Sequence, residues 1–214
     1  MRLFLPGSTR VKICGLTTEE DARMCIDGGA DALGFNFYAG SRRFIDPARS
    51  LGWIESLKGT VDRIAVVVNP APSLLELLWG SKCFEMIQFH GDETPGHCAT
   101  TGVTSWMKAL RVRDADTLGE AAHFATPHIL LDAWSASAYG GTGAVADWRM
   151  IGDFTRNFPA RHFVLAGGLK PDNVAEAIRV ARPGAVDVAG GVESAPGKKD
   201  AGLVASFLAA VNAA

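Results

Sequence analysis

Leu165-Ala166-Gly167-Gly168-Leu169-Lys170-Pro171 and Val186-Asp187-Val188-Ala189-Gly190-Gly191-Val192-Glu193 each close an apolar run with a glycine pair, and one helical stretch separates them. Each run has the composition of a strand buried on both faces. A glycine pair at a strand end lets backbone N–H groups approach an anion that side chains would keep away. A phosphate there gains charge-assisted hydrogen bonds, and a helix starting at Gly191 would add its N-terminus. The alternative is a pair of tight strand-to-helix turns with no ligand. Two such turns, both at apolar strand ends, favour the phosphate.

Outward from these turns the chain alternates short β-branched or apolar runs with stretches of helical period, the pattern of repeated βα units. Strands are expected at Arg10–Cys14, Ala32–Phe37, Arg63–Val68, Met86–Gln88, Ser105–Ala109, His128–Leu131, His162–Leu165 and Ala185–Val188. Helices are expected near Thr18–Asp27, Pro47–Leu57, Ser73–Trp79, Thr94–Thr100, Asp116–Phe124, Asp147–Asn157, Pro171–Ala181 and Ala201–Asn212. Thr17-Thr18-Glu19-Glu20-Asp21 carries a capping hydroxyl and first-turn acids, while Pro47 and Pro171 suit a first helical turn. A doubly wound sheet fits the same alternation. With a phosphate signal at the last two strands, however, the pattern favours closure into a single (β/α)8 TIM barrel over residues 1–214.

Composition narrows the function classes. The 214 residues contain no linker or charge block, and 48% are hydrophobic, enough for a sizeable core. With 21 basic and 23 acidic residues the net charge is −2, which argues against a nucleic-acid partner. No apolar run approaches the roughly 18 residues of a membrane span, and Met1–Gly7 does not read as a signal peptide. Cys14, Cys25, Cys83 and Cys98 lack paired spacing, so a cytoplasmic protein with reduced thiols is expected.

In such a barrel the chemistry lies at the C-terminal strand ends. Those ends carry Cys14, the Ser41-Arg42-Arg43 turn, His90 with Asp92, and Asp132. Cys25, Cys83 and Cys98 read as small core residues. Cys14 stands apart because it ends a strand beside Gly15, follows Lys12 by two positions, and opens onto a cationic mouth expected to favour its thiolate. Asp132 follows Ile129-Leu130-Leu131, where burial disfavours the charged carboxylate and suits a general acid; its plain role would be to cap the next loop. The two together make an acid–base pair. Arg42 and Arg43 are either a solvated pair or the partner of a substrate carboxylate. His90, Asp92 and Asp132 are too loosely spaced to specify a metal site. Tyr139-Gly140-Gly141-Thr142-Gly143 lacks the Lys-Ser/Thr of a nucleotide loop and reads as a lid or a second phosphate contact.

Lys12-Ile13-Cys14-Gly15-Leu16-Thr17, Gly34-Phe35-Asn36-Phe37-Tyr38 with Ser41-Arg42-Arg43, Gln88-Phe89-His90-Gly91-Asp92-Glu93, Leu131-Asp132, Gly140-Gly141-Thr142-Gly143 with Asp147-Trp148, and the two glycine turns resemble, in order, the phosphoribosylanthranilate isomerase family of tryptophan biosynthesis. The resemblance spans nearly the whole chain. It implies a cofactor-free Amadori rearrangement of N-(5′-phosphoribosyl)anthranilate, a small phosphorylated substrate, with Cys14 as general base and Asp132 as general acid. By the same resemblance Arg43 faces the anthranilate carboxylate, Gly168, Gly190 and Gly191 hold the phosphate, and His90 contacts substrate. Ala189-Gly190 stands where the family often has two serines, and Ala144 where a longer polar residue is common. Cys14 argues against the related histidine-biosynthesis isomerase, whose site resembles a pair of aspartates. An epimerase would need a metal or another carboxylate pair, and a non-catalytic phosphate-binding barrel would have no need of Cys14 and Asp132 together. Monomer and homodimer are both open, and the segment before Arg10 has no legible purpose.

Overall fold

The computed structural model describes residues 1–133 and 147–214. Eight parallel strands close in sequence order into a barrel: β1 (Arg10–Cys14), β2 (Ala32–Asn36), β3 (Asp62–Val67), β4 (Met86–Phe89), β5 (Trp106–Val112), β6 (His128–Ala133), β7 (His162–Leu165) and β8 (Ala185–Val188). The helices are α1 (Glu19–Asp27), α2 (Pro47–Ser56), α3 (Pro72–Gly80), α4 (Pro95–Thr100), α5 (Ala115–Gly119), α6 (Trp148–Thr155), α7 (Val174–Ala181) and α8 (Ala201–Asn212). After β8 comes a short antiparallel hairpin, β9 (Glu193–Ala195) and β10 (Lys198–Lys199). The doubly wound alternative is excluded, because β8 pairs with β1 and leaves no open edge.

Local chemistry explains most boundaries. Thr18, Asp46, Thr94, Asp114, Asp147 and Asp200 each accept a backbone N–H from the first turn of the helix they precede. Helix α7 starts three residues later than Pro171. The Asn173 side chain, which stands at the cap, is already engaged: it accepts from Lys170 N and donates to Gly168 O, which fastens the loop after β7 as a turn. Helix α5 stops at Gly119 and continues only as a 3-10 turn over Glu120–His123. Strands β5 and β6 run further than expected, so that Asp132 lies inside β6, paired in register with Arg111 of β5.

Alternation along each strand sorts the residues into two cores. Outward side chains such as Ile13, Leu33, Phe35, Ile87, Phe89 and Leu131 pack against the helices. Inward ones, Ala32, Ile64, Met86, Met107, Ala109, Leu130, Val164 and Ala185, fill the barrel. The segment before β1 now has a role. Leu3 is fully buried among the barrel-filling residues, its N–H donates to Asp62 (2.9 Å), and Arg2 binds Gly59 O (2.9 Å). Phe4 stacks on His128, which in turn stacks on His162. The N-terminal residues therefore stopper the end of the barrel opposite the C-terminal strand ends.

Two outcomes follow for stability. Leu3→Ala is expected to cost about 2–5 kcal/mol, as buried leucines do, measured by denaturant unfolding; a negligible loss would mean that the stopper carries no packing energy. Burial, with His162 alongside, also holds His128 down at about 4, against an ordinary value of 6.5. The unfolded chain then binds a proton where the folded chain does not, so stability is full above pH 6.5 and declines as the pH falls from 6.5 to 4. Tm measured across that window should fall less steeply in His128→Asn, and equal slopes would remove His128 from the explanation.

Candidate active site

The same alternation that fills the barrel with apolar residues brings polar ones to its C-terminal mouth. Two residues beyond inward Ala185 is Asp187, beyond Leu130 is Asp132, beyond Met86 is Gln88, and beyond Ala109 is Arg111. On β1 the inward positions are Lys12 and, above it, Cys14.

Lys12 is fully buried, and its Nζ donates to Asp187 Oδ1 at 2.8 Å across the β1–β8 seam, where the two residues are in register. The ammonium and the Cys14 sulfur lie side by side, both bordering the Gly34 position. Burial alone would discharge a lysine, but the facing carboxylate and thiol outweigh it and the Lys12 value is raised. At Cys14 the balance goes the other way. Burial pushes the thiol up, Lys12 pulls it down, and Asp187 adds to the rise, so the net direction is upward. The expectation that a cationic mouth favours the thiolate is therefore corrected: desolvation is the larger effect. Cys25 and Cys98 are core residues as expected, with thiols pushed up by burial to about 12 and about 11.

Across the barrel on β6, Asp132 is 5% exposed, and its Oδ2 lies 3.3 Å from His90 Nε2, out of line for a hydrogen bond. His90 Nδ1 meets the Gln88 amide nitrogen at 2.6 Å. An amide donor there makes Nδ1 the acceptor, which puts the imidazole proton on Nε2, toward Asp132. His90 N also bonds Val67 O (2.8 Å), and the following Gly91 donates to Glu93, whose other partners are Asn69 N and the buried Lys108. The third member of the loose metal reading, Asp92, is paired with Arg111. Among the described residues no three metal-ligating side chains converge.

The glycine turns meet as the sequence suggested. Gly167 and Gly168 have φ of 89° and 64°, in the left-handed region, and a Cβ on Gly191 would fall 1.9 Å from Leu169 O, so the loops after β7 and β8 touch backbone to backbone. The helix at this turn is a three-residue 3-10 helix, Gly190–Val192, which leads into the β9–β10 hairpin and not into an α-helix. Arg43 reaches this turn from the loop after β2, with Nη2 3.3 Å from where a Gly190 Cβ would stand. Its guanidinium forks onto Glu193, with Nε and Nη2 at 2.8 and 2.7 Å. Although burial disfavours its charge, Glu193 is held below the usual carboxylate range by Arg43 and Lys199. Lys199, itself buried, also donates to Cys14 O (2.7 Å) and Ala189 O (3.2 Å). The Tyr139–Ala144 loop lies outside the described residues.

The residues singled out in the sequence, Cys14, Arg43, His90, Asp132 and the glycines, all lie at or just beyond the C-terminal strand ends, while Asp187, Gln88, Glu193 and Lys199, which contact them or Lys12, were given no role. Period-two counting back from each strand end would have found Asp187 and Gln88. Glu193 and Lys199 carry no such signal, because the hairpin that returns them to β1 is not written in any periodicity.

Gly34 of β2 faces this cluster. A Cβ there would fall 2.6 Å from Cys14 Sγ and 3.0 Å from Lys12 Nζ. Gly34→Ala is expected to cost about 1–3 kcal/mol by overpacking, read as a shift in the denaturant midpoint. An unshifted midpoint would show that sulfur and ammonium give way freely.

The model for the family described as N-(5′-phosphoribosyl)anthranilate (PRA) isomerase matches residues 11–210. The N-(5′-phosphoribosyl)anthranilate isomerase of Trichlorobacter lovleyi is 46% identical over 200 residues, covering 93% of this chain and 96% of the relative. Among solved structures, phosphoribosyl anthranilate isomerase from Thermotoga maritima superposes with a TM-score of 0.86 at 36% identity, over 96% of this chain and all of that one. Another, solved in complex with reduced 1-(o-carboxyphenylamino)-1-deoxyribulose 5-phosphate, has a TM-score of 0.83 at 35% identity over 96% of this chain and 100% of its own. A match across almost all of a closed barrel shows the family, and the chain belongs to the N-(5′-phosphoribosyl)anthranilate isomerases.

Proposed function

We propose that this chain isomerises N-(5′-phosphoribosyl)anthranilate to 1-(2-carboxyphenylamino)-1-deoxyribulose 5-phosphate, with Asp132 as general acid and Cys14 as general base. The observation that carries this reading is the pairing of environments at one mouth. A thiol stands beside a buried ammonium on β1, and a carboxyl beside an imidazole on β6. In the first step Asp132 gives its proton to the furanose ring oxygen. The C1′–O bond breaks, and the nitrogen lone pair forms the protonated Schiff base. Cys14, as thiolate, then takes the C2′ proton, and the C–H electron pair moves into the imine to give the enolamine, which tautomerises to the ketose. The substrate's own imine is the electron sink, so the chemistry asks for no cofactor.

His90 Nε2, 3.3 Å from Asp132, contacts the substrate. Gly168, Gly190 and Gly191 offer backbone N–H groups to the phosphate, in keeping with the 5-phosphate of the ligand bound to the solved relative. Arg43 meets the anthranilate carboxylate with the donors its fork leaves over, while Glu193 fixes the orientation of the guanidinium. The related two-aspartate isomerase reading is disfavoured by the thiol at the end of β1.

Loss of substrate fluorescence tests this directly. Asp132→Asn keeps the shape but has no proton to give, and Cys14→Ser replaces the base with a far weaker one. Each is expected to lower kcat by about 10²–10⁴-fold with KM little changed. Turnover near wild type in either variant would remove that residue from the mechanism.

A further inference from the structure

The mechanism asks Cys14 to lose a proton where desolvation resists it. The groups facing the sulfur are Lys12 from below on its own strand, Asp187 from β8, Lys199 from β10 and Arg43 from the loop after β2. Two of these cations are committed elsewhere. Arg43 is forked onto Glu193, and Lys199 Nζ is shared among Glu193, Cys14 O and Ala189 O. Lys12, bonded to Asp187, shares the Gly34 position with the sulfur. It is fully buried, and Gly34 is the residue whose missing side chain leaves room for sulfur and ammonium side by side.

We propose that Lys12, anchored by Asp187, is a positioning residue that holds the Cys14 sulfur at the mouth and supplies the charge its thiolate needs. Asp187 orients the ammonium through their 2.8 Å contact, and the sulfur lies beside it. When Cys14 loses its proton, the result is an array of two negative groups around one positive, with Lys12 and Asp187 buried and Cys14 partly buried at the mouth. This costs less than a partly buried thiolate with no cation beside it. Lys12 lies beneath Cys14 and so acts through it rather than on the substrate. The proposal rests on Cys14 being the base, but its test does not.

The test is the pH dependence of Cys14 alkylation by iodoacetamide, followed by mass spectrometry of the Cys14 peptide so that the three core cysteines do not interfere. An opposite charge at hydrogen-bond range is worth about 1–3 units to an ionisable group. Lys12→Met is therefore expected to raise the alkylation midpoint by at least about one pH unit, a roughly ten-fold slower reaction below it. Asp187→Asn removes a negative neighbour while the thiolate itself still gives the ammonium an opposite charge, and is expected to lower the midpoint. It gives the opposite sign even if Lys12→Met does not fold. A midpoint that stays put or falls in Lys12→Met, or rises in Asp187→Asn, would overturn the proposal. Should Cys14→Ser retain turnover while these midpoints move as expected, the base assignment fails and the role of Lys12 toward the thiol stands.

Discussion

Closure of the sheet between β8 and β1 is the constraint on which the rest of this protein depends. Four consecutive register pairs, Arg10 with Ala185 through Ile13 with Val188, fix the seam, and the third sets Lys12 against Asp187. Removing two charges from water costs several kcal/mol each, and an apolar pair of the same volume would serve stability as well or better. The ion pair at 2.8 Å is therefore poorly explained as a brace. It is better explained by the sulfur one alternation above it. The hairpin that follows β8 turns back over the same seam, and Lys199 ties the exit of β8 to the carbonyl of Cys14.

The barrel divides its work along its axis. At the N-terminal end Leu3 completes the interior packing, and Phe4 covers a stacked pair of histidines. In the middle small and large residues, Ala32, Ile64, Met86, Met107 and Leu130, fill the cross-section. At the C-terminal end the inward positions turn polar again, and there no N-terminal segment covers them as Leu3 and Phe4 cover Asp62, His128 and His162. Parallel strands of similar length make this division general, because every inward residue at a strand's end reaches the same rim. Charges there meet opposite charges, Lys12 with Asp187, Arg43 and Lys199 with Glu193, and Arg111 with Asp92, while Asp132 stands 3.3 Å from the His90 imidazole.

Two buried clamps hold the rim without belonging to it. Glu93 accepts from Gly91 N and Asn69 N and pairs with Lys108 at 2.6 Å, locking the loops after β3 and β4 from outside the barrel and so fixing the backbone from which His90 projects. Glu193 does the same for Arg43 from the β8 side. Either carboxylate, if removed, leaves a buried cation unpaired, so these positions tolerate change poorly although neither faces the reacting atoms.

The alternation of buried strands with capped helices was legible in the chain because both periods are local. β1, β7 and β8 lie where the apolar runs predict, and Thr18, Asp46 and Thr94 cap where their hydroxyls and carboxylates stand. Cys14, Asp132, His90 and the paired glycines were legible as strand-end residues for the same reason. What the sequence by itself determined is thus the order of elements and which side chains reach the mouth, since a strand's period of two depends only on backbone geometry. The tertiary structure alone decided the rest: that Asp187 meets Lys12, that Glu193 takes the fork of Arg43, that Gly190–Val192 leads into a hairpin and not into an α-helix, and that burial raises the Cys14 thiol against its cationic neighbours. Those outcomes join residues distant in sequence, and the desolvation that settles a buried charge exists only once the strands have closed around it.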